Sequence, residues 1–559
     1  MSGRVRVRCR VAVTLEAPFL MRGLEGLGFG VDAAQLRDRS GRAVIPGDQL
    51  KGLLRQAVRD LAGTDVAPDE KDLFGRAPKD ALGQPGDERG HLVVSDLVAA
   101  CLPTSKILPR VAIDGETGSA KSGHLLMIES VAPIGAHVTF EGGLVVFVDP
   151  QQGSVDDTVR GLRAALQLVP AIGAMETAGF GRVVEAVLEK TAEEPLVPPS
   201  PAARQGGRLA WSFGFDRPLL VSAERLEDNV LVGAEVIAGA VLKGALARRL
   251  ELAGKNPDAF LDGLHVGHAF PRRSGHEHGR ALPLSLVTDR KVTQWEDALR
   301  WDRPLFADGG IPLFGPDWKG DAADRARERL GIGGGLDRVT RTRTAIDPQH
   351  GRADEGNLFS FRMIDPTDVR WRAVIDTGRL GGDELQVLLA IMAEGLDGIG
   401  KTDAAMVEPA LGAAADPEVP LPVPGTTDRY ALMLETPALL IDTPALQDAT
   451  TLRTAFEDYF KDKSGQKLVC TRFFAKQYWA GGIVALKRYP YRPFVLVDAG
   501  SCFLLQGDPA AIGGWLRHGL PLPQWAIEEK LDWQRCRYLP ENGFAAVSLN
   551  RARPFWGVS

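Results

Sequence analysis

Asp32 is a loop carboxylate whose type and setting could serve catalysis. It lies in the glycine-flanked turn GLGFGVDAAQLRDRSG, just ahead of the element IPGDQLKG. A carboxylate beside a phosphate-binding loop can hold Mg²⁺ or orient a 2′-hydroxyl during phosphodiester cleavage. Loop aspartates are far more often simply exposed to solvent, so the turn alone leaves both interpretations open.

The element IPGDQLKG predicts an anion-binding site. Gly47 and Asp48 mark the start of a helix, whose first backbone N–H groups have no partner within the helix. Lys51 and Arg55 are four residues apart and therefore share one face of that helix. Helix-start amides together with a lysine are suited to binding phosphate. The same element recurs as IAGAVLKG, in which Lys243 takes the place of Lys51.

The opening strand alternates basic and apolar residues. In RVRVRCRVAV the side chains of Arg4, Arg6 and Arg8 fall on one face of a sheet, because successive strand side chains point to opposite faces. Arg10 continues the series, and such a face cannot be part of a core. It is either a solvated sheet face or a platform for RNA.

Three further stretches combine cations with rings or glycines. In AGFGRV the glycines allow close approach of the backbone, Phe180 offers a ring and Arg182 a charge. RVTRTRTAID is a second basic strand. TRFFAKQYWAGG alternates aromatic rings with cations, as single-stranded RNA sites do. Each has a structural alternative: a tight turn with a buried Phe, a solvated strand, and an aromatic core. The candidate RNA-binding residues in these stretches are Gly179, Phe180, Gly181, Arg182, Arg341, Arg343, Arg472, Lys476 and Trp479.

Four histidines lie close together in HVGHAFPRRSGHEH and are weak candidates for metal ligands. They are His265, His268, His276 and His278. Neutral imidazoles can bind zinc, but this spacing matches no strong zinc signature. An exposed polar loop is the favoured interpretation, and zinc is not expected.

The composition restricts the class of protein. A net charge of −6 argues against a general polyanion binder, so any RNA site must be local. Five scattered cysteines without CxxC spacing argue against a disulfide framework and favour a reducing cytoplasm. No stretch resembles a signal peptide or reaches the roughly 18 apolar residues of a membrane span, so no membrane association is expected.

Two proline-rich stretches divide the sequence into three segments. The segments are 1–190, 208–413 and 428–559, with linkers at 191–207 and 414–427. IPGDQLKGLLR and RVAIDGETG of the first segment recur in the same order as IAGAVLKGALA and RTAIDPQHG in the second. The growing offset between the copies predicts an insertion at about 265–335.

Strand, helix, strands, helix and a glycine-rich return predict an α+β fold, with antiparallel sheets and helices on one face.

The first segment resembles the RAMP superfamily (repeat-associated mysterious proteins), in particular the backbone subunits of type III CRISPR effector complexes. The resemblance covers most of residues 4–190 and rests on GVDAAQLRDRSGRAVIPGDQLKGLLR, DLFG, RVAIDGETGSAKSG, IESVAPIGAHVTFEG and GFGRV. Residues 208–559 resemble the two-domain RAMP subunit of type III-D systems that holds the 5′ end of the guide RNA. That likeness rests on IAGAVLKGALA, TRTAIDPQHGRADEGNLFSF, GIGK and PENGFAAV, but the family's cysteine-rich zinc element is missing and Ala545 replaces the second glycine of the final loop.

The resemblance implies tandem ferredoxin-like (RRM-like) domains that bind guide RNA and target RNA. It also implies assembly with a large polymerase-type subunit and other type III effector subunits. Backbone subunits of the family cleave target RNA with an aspartate ahead of IPG and a divalent cation such as Mg²⁺, and Asp32 matches that position. The implied function is therefore a guide (crRNA)-binding subunit of an antiviral ribonucleoprotein, with one cleavage centre at most and a third, divergent RAMP-like domain.

Two alternatives remain open. One is a metal-independent endoribonuclease that processes guide RNA through general acid–base residues. The other is a non-catalytic structural subunit of the same complex.

Overall fold

The structure is a computed structural model of the full chain. It describes residues 3–23, 30–75, 89–101, 106–198, 207–221, 224–227, 229–300, 306, 310–346, 353–378, 380–417, 419–481, 493–532 and 536–556. Parts of the predicted linkers (199–206 and 418) and of the predicted insertion (301–305 and 307–309) lie outside the described residues. Three separate hydrophobic cores fall within the three segments, which we call the first, second and third units.

The first unit is an antiparallel sheet with two helices. Its main elements are β1 (Val5–Glu16), α1 (Gly47–Asp60), β2 (Leu97–Ala99), β3 (His137–Val148), α2 (Val155–Gln167) and β4 (Val183–Pro195). Strand β1 pairs with β4 on one side and β3 on the other, and β3 pairs with β2. The spatial order β4-β1-β3-β2, with a helix after the first and third strands, is the ferredoxin-like arrangement.

The second unit repeats this order. Its main elements are β5 (Arg208–Phe215), α3 (Gly239–Leu252), β6 (Phe270–Arg273), β7 (Arg370–Asp376), α4 (Gly382–Glu394) and β8 (Met406–Ala413). Strand β5 pairs with β8 and β7, and β7 pairs with β6. The first two units therefore share one topology, as the repeated motifs predict.

The third unit has the same order again, although its sequence shows the repeat only weakly. Its main elements are β9 (Arg429–Leu434), α5 (Ala449–Lys463), β10 (Leu468–Phe474), β11 (Cys502–Gly507), α6 (Ile512–His518) and β12 (Val547–Leu549). Strand β9 pairs with β12 and β11, and β11 pairs with β10. The predicted fold class, tandem ferredoxin-like α+β domains, is confirmed.

Alternation of side chains along the strands explains why the helices lie on one face. In β1 the residues Val7, Val11 and Val13 are fully buried against apolar side chains of α1 and α2. Leu50 and Leu54 of α1 are one helical turn apart and both enter that core. Each such fully buried aliphatic side chain contributes roughly 1.5–3 kcal/mol relative to exposure. The arginines between the valines are thereby directed to the opposite face of the sheet.

Two long hairpins lie between the core strands. The first hairpin (Lys106–Ile113 and Ala120–Ser130) and the second hairpin (Arg338–Ile346 and Ala353–Ile364) contain the repeated RVAI and RTAI sequences. The remaining described strands are Arg22–Gly23, Ala34–Gln35, Val44–Ile45, Leu92–Val94, Glu224–Glu227, Val230–Val232, His265–Val266, His276–Glu277, Leu286–Thr288, Trp295–Asp297, Leu313–Phe314, Gln477–Gly481 and Pro493–Val497. The remaining described α-helices are Glu70–Phe74, Pro257–Leu261, Ala322–Arg329 and Gln524–Glu528.

Two stretches that the sequence assigns to a linker and to an insertion contain regular structure. Strand β4 continues to Pro195, and Leu196 after it is buried, so the first linker begins later than residue 191. Within the predicted insertion, the strands Leu286–Thr288, Trp295–Asp297 and Leu313–Phe314 form a small sheet, and Ala322–Arg329 is a helix. Trp295 packs on Phe555 of the third unit (5.4 Å between ring centroids). No helix in the described part of the chain is long and apolar enough to cross a membrane.

Candidate nucleic-acid interface

Asp32 is held at the first hairpin by two hydrogen bonds to one residue. The Asp32 N–H donates to the carbonyl oxygen of Met127 (2.9 Å), and the Met127 N–H donates to Oδ2 of Asp32 (2.7 Å). Gly30, two residues before Asp32, has a left-handed conformation (φ 94°) that glycine adopts without steric cost. The Asp32 side chain is exposed, and its Oδ1 has no hydrogen-bond partner among the residues that the structure describes. One oxygen therefore orients the carboxylate and the other is open to a ligand.

A small apolar cluster joins the Asp32 turn to two distant parts of the sequence. Ala33 packs with Ile128 of the first hairpin and with Phe180 of the glycine-rich loop. The guanidinium of Arg110 lies over the Phe180 ring, 5.2 Å from its centroid. The ring is 4 % exposed, so it packs beneath Arg110 and is not open to a stacked base. The structure thus brings Asp32, the first hairpin and the AGFGRV motif together.

The glycine-rich loop of the first unit (residues 172–182, the first loop) depends on its glycines. Gly179 and Gly181 both have left-handed φ angles, 83° and 68°. A Cβ atom at Gly181 would collide with the carbonyl oxygen of Ile172, whereas one at Gly179 would meet nothing. Arg182 forms an ion pair with Glu16, and its side chain remains 68 % exposed. Close approach of backbone to backbone therefore fixes the loop, and Arg182 stays accessible.

The surroundings of Asp32 fit a divalent cation that is shared with a substrate. Among the described residues, no group of three or more His, Cys, Asp or Glu side chains could hold a metal ion. Mg²⁺ usually keeps several waters and is bound by one or two carboxylates together with substrate phosphates. A single exposed carboxylate with one free oxygen matches that mode of binding.

The arginine face of β1 is covered, contrary to the expectation of an open face. The contacts are Arg4 with Asp72 (2.7 Å), Arg8 with Glu194 (3.1 Å), and Arg6 with Glu194 (2.6 Å), Asp397 (3.1 Å) and Glu394. Glu394 and Asp397 belong to the second unit, and Arg6 is 1 % exposed. Ion pairs between units therefore bury the middle of this face, and Arg10 at its far end is the more exposed arginine.

A carboxylate of the protein itself lies at the start of α1, where an anion was predicted. The Gly47 N–H donates to Oδ1 of Asp96 (2.9 Å), and Arg341 of the second unit donates to Oδ2 of Asp96 (2.6 Å). Burial acts to raise the pKa of Asp96, but the Arg341 charge and these hydrogen bonds hold it below its usual value. The first helix start is thus occupied by an ionised side chain.

The basic residues of α1 are paired as well. Lys51 forms an ion pair with Asp403 of the second unit (3.0 Å), and Arg89 of the first unit pairs with the same carboxylate. Asp403 lies in the glycine-rich loop of the second unit (residues 398–404, the second loop). Arg55 pairs with Glu70 (2.7 Å) within the first unit.

Lys243 is fully buried. Its Nζ donates to the carbonyl oxygen of Leu264 (3.0 Å) and pairs with Glu541 (3.2 Å). Glu541 lies in the glycine-rich loop of the third unit (residues 539–545, the third loop). Burial lowers the pKa of Lys243, and the Glu541 charge opposes that shift. Lys243 therefore binds a carboxylate of a neighbouring unit in this structure.

The second basic strand also joins two units. Arg343 pairs with Asp48 of α1 (2.6 Å) and lies over Phe361 (4.7 Å to the ring centroid). Arg341 pairs with Asp96 as described above. Both arginines thus fasten the second hairpin to the first unit.

The predicted sites in the third unit differ in accessibility. Arg472 donates to the carbonyl oxygen of Leu299 (2.8 Å), and Lys476 pairs with Asp498 (3.2 Å) while staying largely exposed. Trp479 is 58 % exposed on the strand Gln477–Gly481. Trp479 is therefore the ring among the predicted residues that a base could reach.

The four clustered histidines do not converge on a common point. His268 packs on Phe544 (4.6 Å between ring centroids), and burial lowers its pKa to about 3. Burial likewise lowers the pKa of His265 to about 4. His278 hydrogen-bonds a backbone carbonyl, and His276 is exposed at the edge of the sheet. Two of the four are thus part of the packing between the second and third units.

Sequence reasoning missed the carboxylates that pair with the predicted cations. They are Asp96, Asp403, Glu541, Glu394 and Asp397. Asp403 and Glu541 could have been found, because each follows or lies within a recognisable glycine-rich loop. The other three carry no motif, and only the three-dimensional arrangement of the units reveals them.

Comparison with known proteins finds a family match for part of the chain. The sequence model described as the RAMP superfamily matches residues 12–184. No curated protein matches the chain. One similar solved chain comes from a cryo-EM structure of the Type III-B Cmr-beta bound to cognate target RNA and AMPPnP, state 1, with 12 % identity over 53 % of this chain and 86 % of that chain and a TM-score of 0.29. Another comes from the Type III-B Cmr-beta bound to cognate target RNA, with 14 % identity over 34 % of this chain and 62 % of that chain and a TM-score of 0.24.

Three ferredoxin-like units joined by ion pairs define the class of protein. Residues 12–184 match the sequence model of the RAMP superfamily, which the motifs of the first segment predict for this part of the chain.

Proposed function

We propose that this protein is a guide-RNA-binding subunit of a type III CRISPR effector ribonucleoprotein. The observation that supports the proposal most directly is the RAMP match over residues 12–184, the same unit in which Asp32, the first hairpin and the first loop meet. The sequence resemblance over 208–559 assigns the second and third units to holding the 5′ end of the guide.

The exposed surface of the first hairpin suits a single RNA strand. Lys106 and Lys121 are exposed on its two strands, and Arg110 is partly exposed over Phe180. Ile113 and Leu125 are apolar and more than half exposed nearby. Cations beside apolar side chains can meet phosphates and bases of an unpaired strand at once. A local site of this kind is compatible with the acidic net charge of the whole chain.

Asp32 is the proposed cleavage residue. Its Oδ2 is fixed by the Met127 N–H, which leaves Oδ1 to hold a divalent cation or to orient a 2′-hydroxyl of the bound RNA. A divalent cation bound there would stabilise the charge that develops on the reacting phosphate. In the second unit Glu235, the one carboxylate of residues 229–238, accepts the Leu336 N–H (2.9 Å) and is largely buried. One cut per chain is therefore proposed.

A non-catalytic scaffold is the second candidate function. It is favoured because several side chains predicted to bind RNA form ion pairs with carboxylates of a neighbouring unit. Examples are Arg6, Lys51 and Lys243. In that case the protein would hold guide RNA and neighbouring subunits without cutting.

Cleavage of matched target RNA by the reconstituted complex tests these assignments. With Mg²⁺ present, Asp32→Asn is expected to slow cleavage by at least about 100-fold while guide and target remain bound, because one oriented catalytic group typically supplies that much. Asp38→Asn is the matched control, since Asp38 lies in the same turn region but binds Arg42. A chelator is expected to abolish cleavage.

Each outcome has a distinct meaning. Undiminished cleavage by Asp32→Asn would overturn the Asp32 assignment, and cleavage that survives chelation would favour the metal-independent endoribonuclease. Absence of all cleavage by the wild type would favour the scaffold. A native complex that contains this chain but no guide RNA would end the whole proposal.

A further inference from the structure

The two joints between units are built in the same way. In the joint of the first and second units, Asp403 of the second loop pairs with Lys51 of α1 (3.0 Å). In the joint of the second and third units, Glu541 of the third loop pairs with Lys243 of α3 (3.2 Å). Lys51 and Lys243 are the same position of the repeated IPGDQLKG-type motif. Each later unit thus places a loop carboxylate on the motif lysine of the unit before it.

Backbone hydrogen bonds show that the first and third loops are equivalent. The Gly181 N–H donates to Pro18 O (2.8 Å) in the first loop, and the Ala545 N–H donates to Pro437 O (2.9 Å) in the third. Likewise, the Gly179 N–H donates to Glu176 O (2.9 Å), and the Gly543 N–H donates to Pro540 O (2.9 Å). In this register Glu541 corresponds to Thr177, and Glu176 immediately precedes Thr177. The first loop therefore has a carboxylate within one position of the one that binds Lys243.

The second loop is shorter but enters in the same register. Its Lys401 N–H donates to Leu220 O (2.9 Å), as Ala174 N–H of the first loop donates to Leu20 O (2.7 Å). The three loops are thus one structural feature of the ferredoxin-like unit, and two of them are docked on a lysine.

The first loop is not docked. Residues 176–179 are exposed, whereas Asn542 and Gly543 of the third loop are buried against the second unit. Glu176 forms no ion pair or hydrogen bond through its side chain among the residues that the structure describes. At both internal joints a loop carboxylate binds a motif lysine, whereas Glu176 of the first loop binds no lysine among the described residues.

We propose that the first loop docks on the motif lysine of another RAMP subunit, with Glu176 in the role that Asp403 and Glu541 have inside the chain. The partner is a separate polypeptide with its own IPGDQLKG-type helix. A second copy of this chain does not fit, because its Lys51 and Lys243 are already paired with its own carboxylates. The docking is a contact between protein surfaces and does not depend on RNA binding by this chain.

Zero-length carbodiimide cross-linking of the native complex tests the contact, because it joins a carboxylate to an amine only when the two touch. The complex is purified through a tag on this chain, and cross-linked peptides are sequenced by mass spectrometry. The Asp403–Lys51 cross-link within the chain is the internal standard. The expected additional product joins Glu176 to a lysine of a different subunit. That lysine lies four residues after a glycine at the start of a helix, as Lys51 lies four residues after Gly47.

A charge reversal provides the second arm. Glu176→Lys is expected to lower the amount of that subunit per chain in the purified complex at least tenfold, because two lysines would face each other. Glu189→Lys, an equally large change at an exposed position of β4, is the matched control and is expected to leave the composition unchanged. Unfolding curves of the isolated chain exclude loss of the fold as the cause.

Three results would overturn the inference: no Glu176 cross-link although Asp403–Lys51 forms, a cross-link to a second copy of this chain, or an unchanged composition for Glu176→Lys. Guide RNA is quantified in the same samples. A complex with the Glu176 cross-link but no RNA would refute the proposed function and leave the docking inference intact.

Discussion

Asp96 and Arg341 form an ion pair (2.6 Å) across the joint of the first and second units, and the same carboxylate accepts the Gly47 N–H at the start of α1. One side chain therefore orders a helix start and fastens a neighbouring unit. The ion pair requires the ionised form, which the Arg341 charge favours against the opposing effect of burial.

Replacement of this carboxylate should destabilise the protein strongly. Asp96→Asn leaves the Arg341 guanidinium poorly compensated in a nearly buried site, and removal of one partner of such a pair costs about 3–5 kcal/mol. We expect a loss of that order in the free energy of unfolding at pH 7, measured in urea. Asp48→Asn is the control, because its pair with Arg343 is more exposed and should be worth about 1 kcal/mol or less.

The effect of Asp96 should also depend on pH. Its folded-state pKa is lowered, so its stabilisation is present above the unfolded value near 3.9 and is lost as pH falls through the folded value. The difference between wild type and Asp96→Asn should shrink on acidification below pH 4. Equal destabilisation by the two Asn variants at pH 7 would contradict this account.

Two glycines of the first loop should respond differently to the same substitution. In either variant the alanine must adopt a left-handed conformation, which costs about 1–2 kcal/mol. In Gly181→Ala the new Cβ also collides with the Ile172 carbonyl oxygen, whereas in Gly179→Ala it meets no atom. Thermal unfolding should therefore show a larger decrease in Tm for Gly181→Ala. Similar decreases for the two variants would show that the loop relaxes away from Ile172.

Buried histidines should make the protein lose stability in mild acid. Burial lowers the pKa of His268 to about 3, far below the unfolded value near 6.5. The unfolded chain then binds the extra proton, so stability is full above pH 6.5 and decreases as pH falls toward the folded value. His268→Leu should reduce the pH slope of the unfolding free energy between pH 6 and 5 by up to about 1.4 kcal/mol per pH unit. His276→Leu at an exposed position should leave that slope unchanged, and a common response of both variants would exclude burial as its cause.

Trp479 should contribute to RNA affinity without contributing to stability. A ring that stacks on one base is worth about 1–3 kcal/mol, so Trp479→Ala is expected to raise the Kd for guide RNA between roughly 5-fold and 150-fold. Ile527→Ala, at an exposed apolar position of the same unit, is the control. Filter-binding of the reconstituted complex at fixed salt measures the change, and an unaltered Kd would remove Trp479 from the RNA site.

The fold followed from sequence wherever a pattern was local. Alternation in β1 and helical spacing from Leu50 to Val58 predicted elements that the structure contains, and the ordered motifs predicted that the second unit repeats the first. The third unit was harder, because its backbone repeats the loop geometry with different residues. Ala545 adopts a left-handed φ of 59° where the first unit has Gly181, so a glycine pattern alone could not reveal the equivalence.

The candidate site was only partly predictable for a different reason. Asp32 and the AGFGRV motif were found separately, but their meeting through Ala33 and Phe180 depends on how the first hairpin folds back. Cations such as Arg6 and Lys243 have the same sequence signature whether they bind a phosphate or a carboxylate. The deciding partners lie up to 391 residues away in the chain, beyond the reach of any local pattern.

The two internal lysine–carboxylate joints are formed by segments of one polypeptide, which gives them an advantage that separate subunits lack. A tether turns each association into an intramolecular step, with an effective concentration that reaches the millimolar range for short flexible connections. Docking of the units therefore does not depend on how much protein the cell contains. Covalent linkage also makes their copy number equal and their order invariant, so a particle built on this chain cannot acquire these three units in the wrong ratio or sequence.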